Sequence, residues 1–138
     1  MTALKRPDLV CPAGSLRALQ LAVDAGADAV YMGLKDATNA RNFAGLNFDL
    51  AQARQGVRYA RDRGRQVLMA LNTYAQADDP QRWFRAVDVA ADLGVHAVIL
   101  ADPALMAYSQ RHHPQLRLHL SVQASATNYE ALAFYRER

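Results

Sequence analysis

The segments AVDAGADAVYMG (residues 22–33) and VAADLGVHAVIL (residues 89–100) decide the fold. Each ends an amphipathic helix, turns at a glycine and continues into a short apolar run. Residues 50–71 follow the same order, with Gly64 at the turn. Glycine just past a helix fits the left-handed C-cap position. Apolar residues at helical spacing followed by unbroken apolar runs indicate crossover helices and strands buried on both faces.

Working outward, the pattern predicts helices over Ser15–Ala25, Leu50–Arg63 and Pro80–Leu93. Their inward faces are Leu16, Leu19 and Val23; then Leu50, Ala53, Val57 and Ala60; then Trp83, Val87 and Ala90. Strands are expected at Leu9–Cys11, Ala29–Met32, Val67–Leu71, Ala97–Leu100 and Leu116–Val122, and a last helix begins near Asn128. Asp49 with Gln52 and Thr127 with Glu130 read as capping boxes. Asp79-Pro80 and Asp102-Pro103 read as N-caps followed by proline at the first helical position.

Five parallel strands joined by crossover helices make this an α/β chain, and the repeat suggests a (β/α)8 barrel. A doubly wound open sheet is the alternative, but the first loop, PAGS (residues 12–15), lacks the dinucleotide glycine pattern. A complete barrel needs roughly 250 residues. The 138 residues are therefore expected to form one region, the N-terminal half of a barrel domain continuing past position 138, with a dimerising half-barrel as the alternative.

Bulk properties narrow the function. An apolar share of 51% excludes disorder. The net charge of +3 permits an anionic substrate or RNA without requiring either. Pro7-Asp8 interrupts any apolar leader after Lys5 and Arg6, and no run is long enough to span a membrane, so a cytoplasmic protein is expected. The single cysteine excludes an internal disulfide.

Chemistry in α/β proteins sits past the carboxyl ends of strands. Two polar strand-end segments stand out, GLKDATNARNFAGLNF (residues 33–48) and LSVQASATN (residues 120–128). The first is a loop of roughly 15 residues where 2–6 is usual. Arg41 offers a planar fork for a carboxylate or phosphate, and Asn39 and Asn47 can fix an orientation. The same residues also suit a solvated loop. In the second segment, strand alternation would point Ser121, Gln123 and Ser125 at the barrel mouth. Asn72 and Thr73 end the third strand and serve equally as substrate contacts or turn residues. The expected substrate-side set is Asn39, Arg41, Asn72, Gln123 and Ser125.

Other residues read as structural. Cys11, between Val10 and Pro12, is a small buried apolar residue with no cation nearby in sequence to make it a thiolate. Ser15 is an N-cap, although a phosphate cradle would use it too. His112 and His113 are surface residues, and with His119 they form no metal motif. Arg54, Arg58 and Arg61 form a basic stripe that is most simply a solvated helix face, and it is the feature that would suit RNA.

The segments CPAGSLRALQLAVDAGADAVYMG, GLKDATNARNFAGLNF and LSVQASATN together resemble the collagenase-like peptidase family U-32. TNARNFAGLNF and SVQASATN point to its UbiU-like branch, that of oxygen-independent ubiquinone biosynthesis. The resemblance implies a barrel-like N-terminal region and a [4Fe–4S] cluster held by four cysteines. It implies a UbiV-like sister protein as partner and a quinone precursor as the hydroxylated substrate. Other branches hydroxylate RNA bases, which is the alternative function, and a non-catalytic partner-binding half-barrel is another. Peptidase chemistry needs a metal set or an activated nucleophile, and the chain displays neither. Cys11 alone cannot supply the four thiolates of such a cluster, so either the ligands lie outside this chain or this copy lacks the activity.

Overall fold

Local signals start and stop the helices much as their side chains dictate. The computed structural model describes residues 6–137. Its elements run β1 (Val10–Pro12), α1 (Leu16–Asp24), β2 (Ala29–Gly33), α2 (Leu50–Arg61), β3 (Gln66–Leu71), α3 (Gln81–Leu93), β4 (Ala97–Leu100), α4 (Pro103–His112), β5 (Arg117–Leu120), a 3-10 turn (Val122–Ala124) and α5 (Tyr129–Arg136). Ser15 caps α1 by accepting the Ala18 N–H at 3.1 Å. Asp49 and Gln52 form the expected reciprocal capping box on α2. Asp102 caps α4 ahead of Pro103. The reading of residues 1–5 as part of a leader-free start lies outside the described residues.

The five strands are all parallel and lie in the order β1-β2-β3-β4-β5. Right-handed crossovers between sequential neighbours place every helix on the same side of the sheet. A doubly wound sheet requires a reversal of strand order, and this sheet has none. The helix-facing strand residues Val30, Met32, Val67, Met69, Leu71, Val98 and Leu100 join Leu19, Val57, Trp83 and Val87 in one buried core. Gly56 is buried where α2 crosses α1, and a β-carbon there would lie 3.0 Å from Leu19 Cδ1.

The opposite face is the concave interior of the curl. Register aligns Pro12, Tyr31, Leu68, Ala97 and Arg117 in one row. Gly33, Ala70, Ile99 and His119 form the next. Among the described residues β1 and β5 are the sheet edges, with no pairing between them.

Five details differ from expectation. Leu50 is 53% exposed rather than inward, because the close crossing of α1 and α2 is made by Gly56 further along the helix. The fifth strand stops at Leu120, since the Ser121 hydroxyl takes the Gln123 N–H at 3.1 Å and winds a 3-10 turn. Val122, the β-branched residue that suggested strand, is 87% exposed. The cap of α5 is Asn128, which accepts the Ala131 N–H at 2.8 Å, and not Thr127. Asp79 does not cap α3; its carboxylate pairs with Arg82 and Arg85 instead.

Candidate functional site

A cavity of about 600 Å3 opens at the carboxyl ends of the strands. Its floor is the inner face of the sheet, from Pro12, Tyr31, Gly33, Ala70 and Ile99. One wall is the loop after β2, through Asn39, Arg41, Phe43, Leu46 and Asn47. The other is the turn after β5, through Ser121, Val122 and Gln123.

The loop after β2 is held by hydrogen bonds from short polar side chains to main chain. It returns to the sheet where Phe48 pairs with Leu34 in a parallel bridge. Asp36 takes the N–H and hydroxyl of Thr38 at 2.9 and 2.5 Å. Asn39 is buried over the end of β2, at a place open only because residue 33 is glycine. Its Oδ1 accepts the Arg41 N–H at 3.1 Å. Asn47, buried and left-handed at φ 74°, donates from Nδ2 to the Arg41 carbonyl at 2.7 Å. Asn72, at the end of β3, accepts the Ala40 N–H at 2.9 Å. Three carboxamides thus fix the main chain on both sides of Arg41.

The Arg41 guanidinium itself is exposed and has no acidic partner among the described residues. It lines the cavity with its five donors uncommitted. Because Asn72 accepts through Oδ1, its Nδ2 is left to donate into the same space. The Gln123 side chain adds a neutral polar group at the rim, while the Gln123 main-chain carbonyl accepts the Tyr74 hydroxyl at 3.1 Å.

The expected site residues therefore separate. Arg41, Asn72 and Gln123 all line the cavity. Asn39 lines it too, but both ends of its carboxamide are bound to main chain, so its role is to hold Arg41. Ser125 does not belong: the 3-10 turn breaks strand alternation, and Ser125 sits outside the lining at φ 54°. Phe43 and Leu46, 61% and 45% exposed, supply apolar wall that the polar look of the loop concealed. An aromatic residue inside an otherwise polar strand-end loop is the signal that would have found Phe43. Asp102 is buried as a brace, accepting the N–H groups of Ala75 and Ala104 at 2.9 and 2.8 Å.

The lining contains no His, Cys, Asp or Glu. Two hydroxyls line it, the Tyr31 phenol and Ser121, whose Oγ accepts the Gln123 N–H, and neither has a base beside it in the lining. The cavity can bind and orient a molecule with a flat apolar part and an anionic part, but it has no base to activate a nucleophile. Cys11 is half-buried, packs toward the helices and lies outside the lining. No group of three or more His, Cys, Asp or Glu suited to a metal ion occurs among the described residues. These residues do not fit an iron–sulfur cluster, which takes four thiolates.

His113 departs from its reading as a surface residue. It is largely buried, and its Nε2 lies 2.7 Å from Asp88 Oδ1. Tyr108 donates to the same carboxylate at 3.0 Å, and burial together with that bond pushes its hydroxyl pKa above the usual range. This cluster ties α3 to α4 and lies outside the cavity lining. No described helix is long and apolar enough to cross a membrane.

The comparisons place the chain in a family and a fold. The chain is 32% identical over 133 residues to tRNA hydroxylation protein P1 of Bacillus subtilis, covering 96% of this chain and 31% of that protein. It is 29% identical to tRNA hydroxylation protein P of Escherichia coli, covering 96% and 29%. It is 31% identical to a collagenase of Porphyromonas gingivalis, covering 93% and 30%. The chain thus spans about three-tenths of the length of these curated relatives. The structure of the U32 peptidase Mk0906 superposes with a TM-score of 0.78 at 19% identity, covering 99% of this chain and 57% of that one. DHDPS from Cyanidioschyzon merolae superposes with a TM-score of 0.51 at 12% identity, covering 82% and 45%. These two likenesses concern the fold. The model of peptidase family U32 matches residues 14–138, and the chain belongs to that family.

Proposed function

We propose that this chain is the substrate-binding part of a protein that hydroxylates a tRNA base. The observation that carries the reading is Arg41, clamped by Asn39, Asn47 and Asn72 above a cavity with no acid–base pair. Such a site positions a ring and an anionic group and leaves the oxidation to another component. An unstacked base offers a flat face to Phe43 and Leu46, and its phosphate offers two oxygens to the Arg41 fork. The names of the bacterial relatives support a tRNA substrate over other rings. Any [4Fe–4S] cluster in the whole protein would take its thiolates from outside these 138 residues.

The test is mass spectrometry of nucleosides from tRNA of cells that carry Arg41→Ala in the whole protein as the sole copy. The expected result is loss of one hydroxylated nucleoside, with the protein at normal abundance. A normal level of every hydroxylated nucleoside would refute the reading.

A second reading keeps the same site and changes the ring. The apolar share of the cavity lining also suits a carboxylated quinone precursor, handled by a UbiU-like protein with a UbiV-like partner. It predicts that Arg41→Ala lowers ubiquinone made without oxygen and leaves tRNA nucleosides unchanged.

A further inference from the structure

A second cavity, of about 220 Å3, lies at the other end of the sheet, between the carboxyl end of α2 and the amino ends of β3 and β4. Its polar lining is Arg61, Arg65, Gln66 and His96. Arg65 Nη1 is 3.2 Å from Asp28 Oδ1, and Asp28 is shared with Arg6 at 2.9 Å. Two arginines therefore already surround that one carboxylate. Arg61 adds a third cation and has no acidic partner among the described residues. Its Nη1 lies across Gly94, 3.4 Å from where a β-carbon would stand. Positive charge extends past the cavity to Arg117, which pairs in register with Ala97 beside His96.

We propose that this cavity binds a phosphate group. Two guanidinium forks, an amide and an imidazole line it, and its lining contains no carboxylate. A planar carboxylate occupies one fork, whereas the tetrahedral oxygens of a phosphate engage both. At roughly 30 Å3 per water in the liquid, the space holds a phosphate with part of its hydration. Arg54 and Arg58 continue from Arg61 along the exposed face of α2, and the only described ion pair among these three is Arg58 with Asp62 at 3.9 Å. That row suits consecutive phosphates of a nucleic-acid backbone, a source that rests on the tRNA reading above. A free phosphorylated ligand is the other source of the same chemistry.

The experiment uses the whole protein and two probes. Inorganic phosphate is titrated while the His96 ring is followed by NMR, in the wild type and in Arg61→Ala. Arg61 is exposed and has no ion-pair partner among the described residues, so the variant is expected to fold normally. A saturable shift that Arg61→Ala abolishes supports the site, and absence of a saturable shift in the wild type overturns it. Unmodified tRNA transcript is the second probe, with affinity measured against salt. A salt slope shallower by about one in Arg61→Ala identifies the ligand as RNA backbone. An unchanged slope, with the wild-type phosphate shift still abolished by Arg61→Ala, assigns a free phosphorylated ligand. Wild-type protein that takes phosphate but not tRNA would sink the tRNA reading and leave the site standing.

Discussion

Asn39 covers Gly33 so closely that a β-carbon on Gly33 would overlap the Asn39 carboxamide. The end of β2 and the loop that follows it are fitted to each other at this point. From that seat Asn39 holds the Arg41 N–H, so a missing side chain on the strand sets the position of a charged one at the cavity.

Gly33→Ala should therefore displace Asn39 and loosen the loop. Overpacking of this kind costs about 1–3 kcal/mol. Urea unfolding should register that loss, and adding Asn39→Ala should recover part of it. Strictly additive effects of the two substitutions would show that the two residues do not meet.

Asn47 combines a left-handed main chain at φ 74° with its bond to the Arg41 carbonyl. Asn47→Gly keeps the conformation and loses the bond, while Asn47→Ala loses both. Stability should fall in the order Asn47, Gly, Ala, with the last step about 1 kcal/mol. Equal stability of the two variants would contradict a strained backbone here.

Trp83 is 1% exposed, and its indole N–H donates to Thr73 Oγ1 at 2.9 Å. The same hydroxyl donates to the Ala37 carbonyl at 2.6 Å, tying α3 to the loop after β2. Thr73→Val preserves shape and leaves both groups unpaired. The expected cost is about 1–3 kcal/mol, read from the denaturant midpoint. A neutral effect would mean that another acceptor replaces the hydroxyl.

His119 lies on the concave face, exposed in the strand pattern, and partial desolvation there, then Arg117 and His96, hold its pKa below the usual 6.5. The neutral ring is the form that the fold favours. The unfolded chain therefore takes up protons first as pH falls through about 6.5. Stability should decline below that pH until the folded protein is protonated too. His119→Gln should flatten the decline between pH 7.5 and pH 5.5 in urea unfolding. Parallel curves for variant and wild type would exclude His119 as the cause.

Arg41→Ala should be silent in all such measurements. The guanidinium is exposed and unpaired among the described residues, so the change in stability should stay within about 0.5 kcal/mol. A large loss would recast Arg41 as a structural residue and remove it from the binding site.

Much of this was legible along the chain. The helix faces with Leu19, Val57 and Trp83, the glycine stops, the Asp49–Gln52 box and the parallel strands follow from periodicity and capping, which are local properties. Arg41 and Asn72, picked out because strand ends are where a barrel exposes its chemistry, do line the cavity. Ser125 was misplaced because one hydroxyl, Ser121, competes with strand pairing, and that balance is not encoded in alternation.

What only the tertiary structure decided is which polar group faces a ligand and which faces the main chain. Asn39, Asn47 and Asn72 are the same residue type in similar loops. Partners 2, 6 and 32 positions away determine that each of them holds residues 40–41 in place. The second cavity is of the same kind. Arg61 and Arg65 sit near a helix end in sequence, but His96 reaches them from the start of another strand, and Asp28 neutralises one and not the other. Local sequence determines secondary structure because its causes lie within a few residues. Site chemistry depends on which distant groups have already been satisfied, and folding alone brings those groups together.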